Sequence, residues 1–314
     1  MTTKKTVAIL IGIVLIAFSI GFLALNTRGY EITRNKDKGF SIDFNSSSIG
    51  NININEEATE TIDKVEKIYI TAPIAKVDII PENRENVYVH YHGNIPDNIK
   101  TKLTTGKVKD TLEIKVENKN HTKIGFSNFN NTKIYLDVYI PESYSKNIDI
   151  NANLGDINIS DFNLNELDID ADLGNIKAKN INAKEIDIDA DLGNVNVENI
   201  NAKEIEIDCD SGNIIAKDIK GDTKVKADLG SIELDYNDFD YNLNAISNLG
   251  SITITLPKDA NFNLDAKSDL GTVKAEFPVT TTEASNTKLK GTVGNGGKDI
   301  ILTVDLGSIK INSK

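Results

Sequence analysis

A short motif returns along the later half of the chain at nearly constant spacing. It reads Leu154-Gly155-Asp156-Ile157, Leu173-Gly174-Asn175-Ile176, Leu192-Gly193-Asn194-Val195 and Ser211-Gly212-Asn213-Ile214. It continues as Leu229-Gly230-Ser231-Ile232, Leu249-Gly250-Ser251-Ile252, Leu270-Gly271-Thr272-Val273 and Leu306-Gly307-Ser308-Ile309. The first four copies lie 19 residues apart. A unit of that length cannot bury an apolar face alone, so neighbouring units must stack and complete one another's core. The sequence predicts an all-β chain with a repetitive parallel β-solenoid over residues 146–314.

Alternation within each unit assigns faces. Ile148, Ile150, Ala152 and Leu154 share one side of a strand, as do Leu167, Ile169, Ala171 and Leu173. The same holds for Ile186, Ile188, Ala190 and Leu192, then Ile205, Ile207 and Cys209, then Val225, Ala227 and Leu229. Period two places all of these inward. Gly155, Gly174, Gly193, Gly212, Gly230, Gly250, Gly271 and Gly307 then turn the chain, at a corner where a Cβ would meet crowded backbone. A second short strand and a second corner follow, burying Phe162, Ile181, Ile200 or Ile219. Eight rungs, with a weaker ninth at Gly291-Thr292-Val293, give a stack roughly 40 Å long at about 4.8 Å per rung. The last motif lies just before Lys314, so the final rung is expected to present an open edge. That edge is either guarded by Lys310 and Lys314 or used for end-to-end self-association.

Upstream, residues 7–25 (Val7 to Leu25) form an uncharged stretch long enough to cross a bilayer as a helix. The sequence after it lacks the small-residue cleavage pattern of a signal peptide. Lys4 and Lys5 precede the span, so residues 1–6 are expected in the cytoplasm and the bulk of the chain outside, as a single-pass protein of the cell membrane. Residues 26–63 read as a polar stalk, although Ile49-Gly50-Asn51-Ile52-Asn53-Ile54 imitates the repeat. Residues 64–145 read as a β-rich cap of meandering strands at one end of the solenoid.

The formal charge of −12 disfavours nucleic acid and anionic lipid as partners and suits cations or basic surfaces. Outward positions should stack into acidic columns: Asp168, Asp187 and Glu206; Asp170, Asp189 and Asp208; Asp172, Asp191, Asp210 and Asp228. Lys224 and Lys226 continue the first two. Carboxylates one strand apart repel by about 1 kcal/mol per pair in water, so the columns are either a solvated, solubilising face or a face that binds Ca²⁺ weakly at several sites. Asn175, Asn194 and Asn213 after the glycine, and Asn180 and Asn199 with Asp218 at the second corner, should bond along the stack, with a carbohydrate-binding amide face as the alternative. Cys209 replaces an inward alanine and reads as a buried spacer. Histidines are His90, His92 and His121. His90 and His92 share a strand face, which permits metal binding, but no third ligand is evident. No Ser/His/Asp order, phosphate-cradling loop or CxxC motif appears, and no catalytic residue or cofactor is assigned.

These rungs, together with Leu136-Asp137-Val138-Tyr139-Ile140-Pro141 before them and Gly294-Asn295-Gly296-Gly297 near the end, resemble the bacterial putative-adhesin family of unknown function, the LiaG-like envelope proteins. The resemblance covers about residues 66–314. It implies an exported β-solenoid tied to adhesion or envelope stress, and supplies no catalytic residues. The expected function is therefore non-enzymatic binding of an envelope polymer or a membrane protein. The alternatives are an assembly or signalling partner of a membrane protein, or a polysaccharide lyase or hydrolase on a β-helix, which would need a cleft of convergent acidic and basic groups that the regular rungs do not offer.

Overall fold

The computed structural model describes the backbone of residues 30–35 and 39–44 and the full residues 51–119 and 133–314. All regular structure there is β, and no described helix is long and apolar enough to cross a membrane. Val7 to Leu25 and His121 lie outside the described residues. Two compact units are present, one from residues 1–54, 93–101 and 118–133, the other from 55–92, 102–117 and 134–314. In the first, Tyr30–Asn35 pairs antiparallel with Gly39–Phe44. Ile95 and Ile99 are buried, and the Ile99 amide closes a turn on the Pro96 carbonyl at 2.9 Å. The span read as a stalk thus carries strands, including Asn51–Thr61; the alternating Phe40, Ile42 and Phe44 were its signal.

The second unit is the stack. Asn147–Leu154, Glu166–Leu173 and Glu185–Leu192 pair in parallel, Ile148 on Leu167 on Ile186, and the pairing continues into Val195–Ser211 and Ile214–Leu229. The second strands stack likewise, Ile157 on Ile176 on Val195 on Ile214. Ile150, Ile169, Ile188 and Ile207 are all at most 1% exposed, so the inward face forms one continuous apolar column. The motif leucine departs from this face. Leu192 is 48% exposed, and Leu229 and Leu270 are 42% exposed, because the chain has begun to turn at that position and period two no longer holds.

Each corner glycine is dictated by the rung beneath it. A Cβ on Gly174 would lie on the Gly155 carbonyl oxygen, one on Gly193 on that of Gly174, and one on Gly212 on that of Gly193. Backbone therefore occupies the space a side chain needs, in addition to φ values of +141° to +157° at Gly155, Gly174, Gly193 and Gly212. The second corner uses a different device. Asp161, Asn180, Asn199 and Asp218 sit at φ between +51° and +66°, a left-handed turn that Asn and Asp tolerate better than other side-chain-bearing residues.

The ends of the stack depart from chain order. The expected cap contains two rungs of its own. Lys67–Ala72 and Lys76–Glu82 lie directly against Asn147–Leu154 and Ile157–Asn163. Thr111–Asn118 and Lys133–Pro141 form the next rung outward, in parallel with them. At the other end, Lys298–Leu306 lies between Leu243–Leu249 and Phe262–Leu270, with Leu243 on Ile300 and Ile300 on Leu264. The last motif is thus interior, and the expectation of an open final edge there is corrected: Lys310 and Lys314 guard no terminus, and the Lys314 ammonium instead pairs with Asp235. The segment read as a ninth rung is also different. Lys288–Val293 runs antiparallel to Phe262–Leu270 and pairs with Val279–Ala284, a hairpin that covers this end. Tyr236, Phe239, Phe262 and Phe277 follow edge to face in the core here, with ring centroids 5.1, 6.2 and 5.4 Å apart.

Candidate functional site

The first strand of each rung turns its odd positions to solvent, and parallel register places like on like. Asp149, Asp168, Asp187 and Glu206 form one column, continued by Lys224. Asp170, Asp189 and Asp208 form a second between Asn151 and Lys226. Asp172, Asp191 and Asp228 precede the motif leucine, and Asp210 precedes Ser211 at the same place, in successive rungs. A further column, Glu166, Glu185, Glu204 and Asp222, precedes the first strand's apolar residues. The sequence reading missed this column and Asp149, although the 19-residue spacing of Glu166, Glu185 and Glu204 was their signal.

The columns end in neutral or cationic groups. Lys67 bonds Asp149 at 2.8 Å, and Lys224 lies 3.3 Å from Glu206. The Asn151 amide donates to Asp170 at 3.1 Å, and Lys226 lies 3.6 Å from Asp208 and 3.1 Å from Asp228. Asn153 donates to Asp172 at 2.6 Å and Asn248 to Asp228 at 2.9 Å. Asn147 and Asn242 do the same for Glu166 and Asp222, at 2.9 and 3.0 Å. The middle of each column has only other carboxylates above and below. Partial burial, then the charges of Asp149 and Asp187, push the Asp168 carboxyl up to about 6. Burial first and neighbouring carboxylates second also raise Asp170, Asp187 and Asp189, while at Asp208 burial is opposed by Lys226.

Where successive rungs shift, this face becomes concave. A groove of about 450 Å³ runs across the rungs from Glu185 and Asp187, past Glu204, Glu206, Asp222 and Lys224, to Asp299 and the exposed Ile301. Its lining holds no histidine, cysteine or tyrosine, and its carboxylates are spread over several rungs rather than converging on one point. The groove offers anionic oxygens at intervals along the stack, a geometry suited to a row of positive charges.

The polar residue after each glycine has a different role. Asn175 Oδ1 accepts from the Asn194 backbone amide at 3.0 Å, Asn194 Oδ1 from Asn213 at 3.0 Å, and Asn213 Oδ1 from Ser231 at 2.9 Å. Ser251 and Ser308 continue the ladder through their hydroxyls. These side chains are engaged in joining rungs. At the second corner Asn199 donates to Asn180 and Asn180 to Asp161, at 2.8 and 2.7 Å. Cys209 is 1% exposed with its thiol 3.3 Å from the Gly193 carbonyl, and burial pushes it up to about 11. It is a packed spacer and not a nucleophile at neutral pH.

Neither His90 nor His92 lines the groove. His90 and His92 stack with ring centroids 4.1 Å apart, and Asp137, on the adjacent strand, accepts from His92 Nε2 at 3.0 Å. The three offer ligand atoms mutually within 4.8 Å. Sequence spacing did not show the third member, because Asp137 is 45 residues from His92 along the chain.

The family model described as Toastrack DUF4097 matches residues 65–312. The chain belongs to that family. Its match begins at the out-of-order rung of residues 67–82 and runs through the interior strands at 298–313, so both departures from chain order fall inside the Toastrack unit. A crystal structure of a putative adhesin from Bacteroides fragilis aligns at a TM-score of 0.49 and 14% identity, covering 82% of this chain and 97% of that one. A putative cell adhesion protein from Clostridium sporogenes aligns at 0.31 and 15%, covering 83% and 100%. A putative lipid-binding protein from Parabacteroides distasonis aligns at 0.27 and 16%, covering 83% and 96%. No curated protein matches the chain.

Proposed function

We propose that this Toastrack protein is a non-enzymatic, membrane-anchored binding protein that holds a cationic component of the cell envelope in its acidic groove. The observation that carries the reading is the alignment of Glu185, Glu204 and Asp222 with Asp187, Glu206 and Asp299 along one concavity. Carboxylates stacked one rung apart repel, and a ligand bearing several positive charges, or Ca²⁺ bridging to an anionic envelope polymer, relieves that repulsion on binding. The apolar stretch from Val7 to Leu25 supports anchoring with the stack outside the cell.

The test is pull-down of the full-length protein, in non-ionic detergent, on washed cell-wall sacculi with and without millimolar Ca²⁺. Saturable binding that falls at least about 10-fold on reversing two groove charges, Asp187→Lys with Glu206→Lys, supports the reading. Binding lost on chelation assigns the bridging role to Ca²⁺. Absence of binding in both conditions would sink the polymer reading and favour a membrane protein as partner, to be sought by crosslinking in intact cells.

A further inference from the structure

Outside the groove, one cluster of side chains has the composition of a metal centre. His90 and His92 project from the same face of strand Asn86–Pro96, two residues apart. That strand pairs with Lys133–Pro141, which supplies Asp137, and with Asn51–Thr61, which supplies Asn55. His90 Nε2 lies 2.7 Å from Asn55 Oδ1. An Nε2–H donated to that carbonyl oxygen leaves His90 Nδ1 with its lone pair, the arrangement by which an oxygen behind a ligating histidine fixes its tautomer. His92 Nε2 faces Asp137 Oδ2 at 3.0 Å. Two ligands of a tetrahedral Zn²⁺ at about 2.0–2.1 Å from the ion are separated by about 3.3 Å, so a metal replacing the shared proton opens the His92–Asp137 pair by a few tenths of an ångström, while His90, its ring 18° from parallel to that of His92, turns to close on the ion from within 4.8 Å.

Aromatic neighbours flank both rings. Tyr135 stacks on His92 with centroids 5.3 Å apart, and Tyr88 stacks on the far side of His90 at 6.4 Å. The side chains of His92 and Asp137 are 32% and 18% exposed, open enough for an ion to enter and for a water to remain. Two imidazoles and one carboxylate favour zinc and its transition-metal neighbours over Ca²⁺, which prefers oxygen ligands alone.

We propose that His90, His92 and Asp137 bind one Zn²⁺-class ion with a fourth coordination position open to water or to a donor from a ligand. The site joins strand Asn86–Pro96 to Asp137 in the rung of residues 133–141, and shares no residue with the acidic groove.

The experiment is calorimetric titration of chelator-stripped full-length protein with Zn²⁺ in detergent, and with Co²⁺ followed by visible absorption. The expected result is one tight equivalent per chain, a tetrahedral Co²⁺ spectrum lacking thiolate charge transfer, and no displacement by excess Ca²⁺. His92→Ala and Asp137→Asn should each weaken Zn²⁺ by more than about 100-fold, and Asn55→Ala by about 10-fold. Asp170→Asn, on the acidic face, should leave it unchanged. Thermal melts check that each variant folds, and His90→Gln reports on the same site should His92→Ala fail to fold. Binding that survives loss of either histidine, that disappears in Asp170→Asn, or that is absent in the wild type would overturn the assignment.

Discussion

The middle of the stack and its two ends solve the same packing problem by different means. From Asn147 to Leu229 each rung lies on the one before it in sequence, and the strand pairing repeats in register apart from one shift between Asn201 and Glu204. At the ends the chain overshoots and returns. Residues 111–118 and 133–141 lie outside residues 67–82, and residues 298–313 fit inside residues 262–275. Antiparallel strands then cover the outermost rung at the C-terminal side. Local repetition is enough to extend a solenoid, whereas finishing one requires long-range pairing that no single repeat specifies.

Removal of the interior rung should have the largest effect. Deleting residues 298–314 leaves Phe262–Leu270 without the strand that joins it to Leu243–Leu249. Amide exchange should show loss of protection throughout 262–293 with 147–201 still protected, and a fall in Tm on the order of 10 °C or more. Uniform loss of protection would mean that the middle cannot stand without its ends.

A glycine pair sharpens the contrast. Gly193→Ala drives a Cβ into the Gly174 carbonyl and should cost about 3 kcal/mol or more by chemical denaturation. Gly106, in the strand Thr101–Val108 near the opposite end, has open space at its Cβ position, and Gly106→Ala should stay within about 0.5 kcal/mol of wild type. Equal costs would refute backbone stacking as the reason for the corner glycines.

The smallest effect concerns charge. The Asp168 carboxyl is raised to about 6 by burial and by Asp149 and Asp187. The folded state therefore binds this proton more tightly than the unfolded chain, and its contribution to stability falls as pH rises from about 4 through 6. Asp168→Asn should raise Tm at pH 7 by on the order of 2 °C, with the gain vanishing near pH 4. Asp265, paired with Lys290 at 2.5 Å near the other end, should show no such gain when changed to Asn.

Legibility in the sequence follows the same division. The rungs from 147 to 229 were legible because the glycine spacing fixes both faces and register. The rung at 67–82 was not, since Ala72-Pro73-Ile74-Ala75 stands where the others have the Leu-Gly corner. Nor was the order at the C-terminal end. Leu306-Gly307 pairs as well with Leu249-Gly250 as with Leu270-Gly271, so units this similar carry no information about sequence of stacking. The acidic columns were visible as periodic aspartates, but their concavity depends on how rungs shift against one another. Asp137 was hidden by distance along the chain. The exposed motif leucines show where alternation fails, at a corner that period two does not describe.

The in-register contacts of the middle have a consequence for how long such a molecule can be. Excising residues 166–184 would bring Ile148 against Ile186 and Gly155 against Gly193, reproducing pairs already present. Each such excision or duplication changes the reach by about 4.8 Å while leaving both woven ends untouched. The central rungs therefore act as an adjustable spacer, a ruler whose gradations are single units and whose length recombination can reset without inventing a new interface.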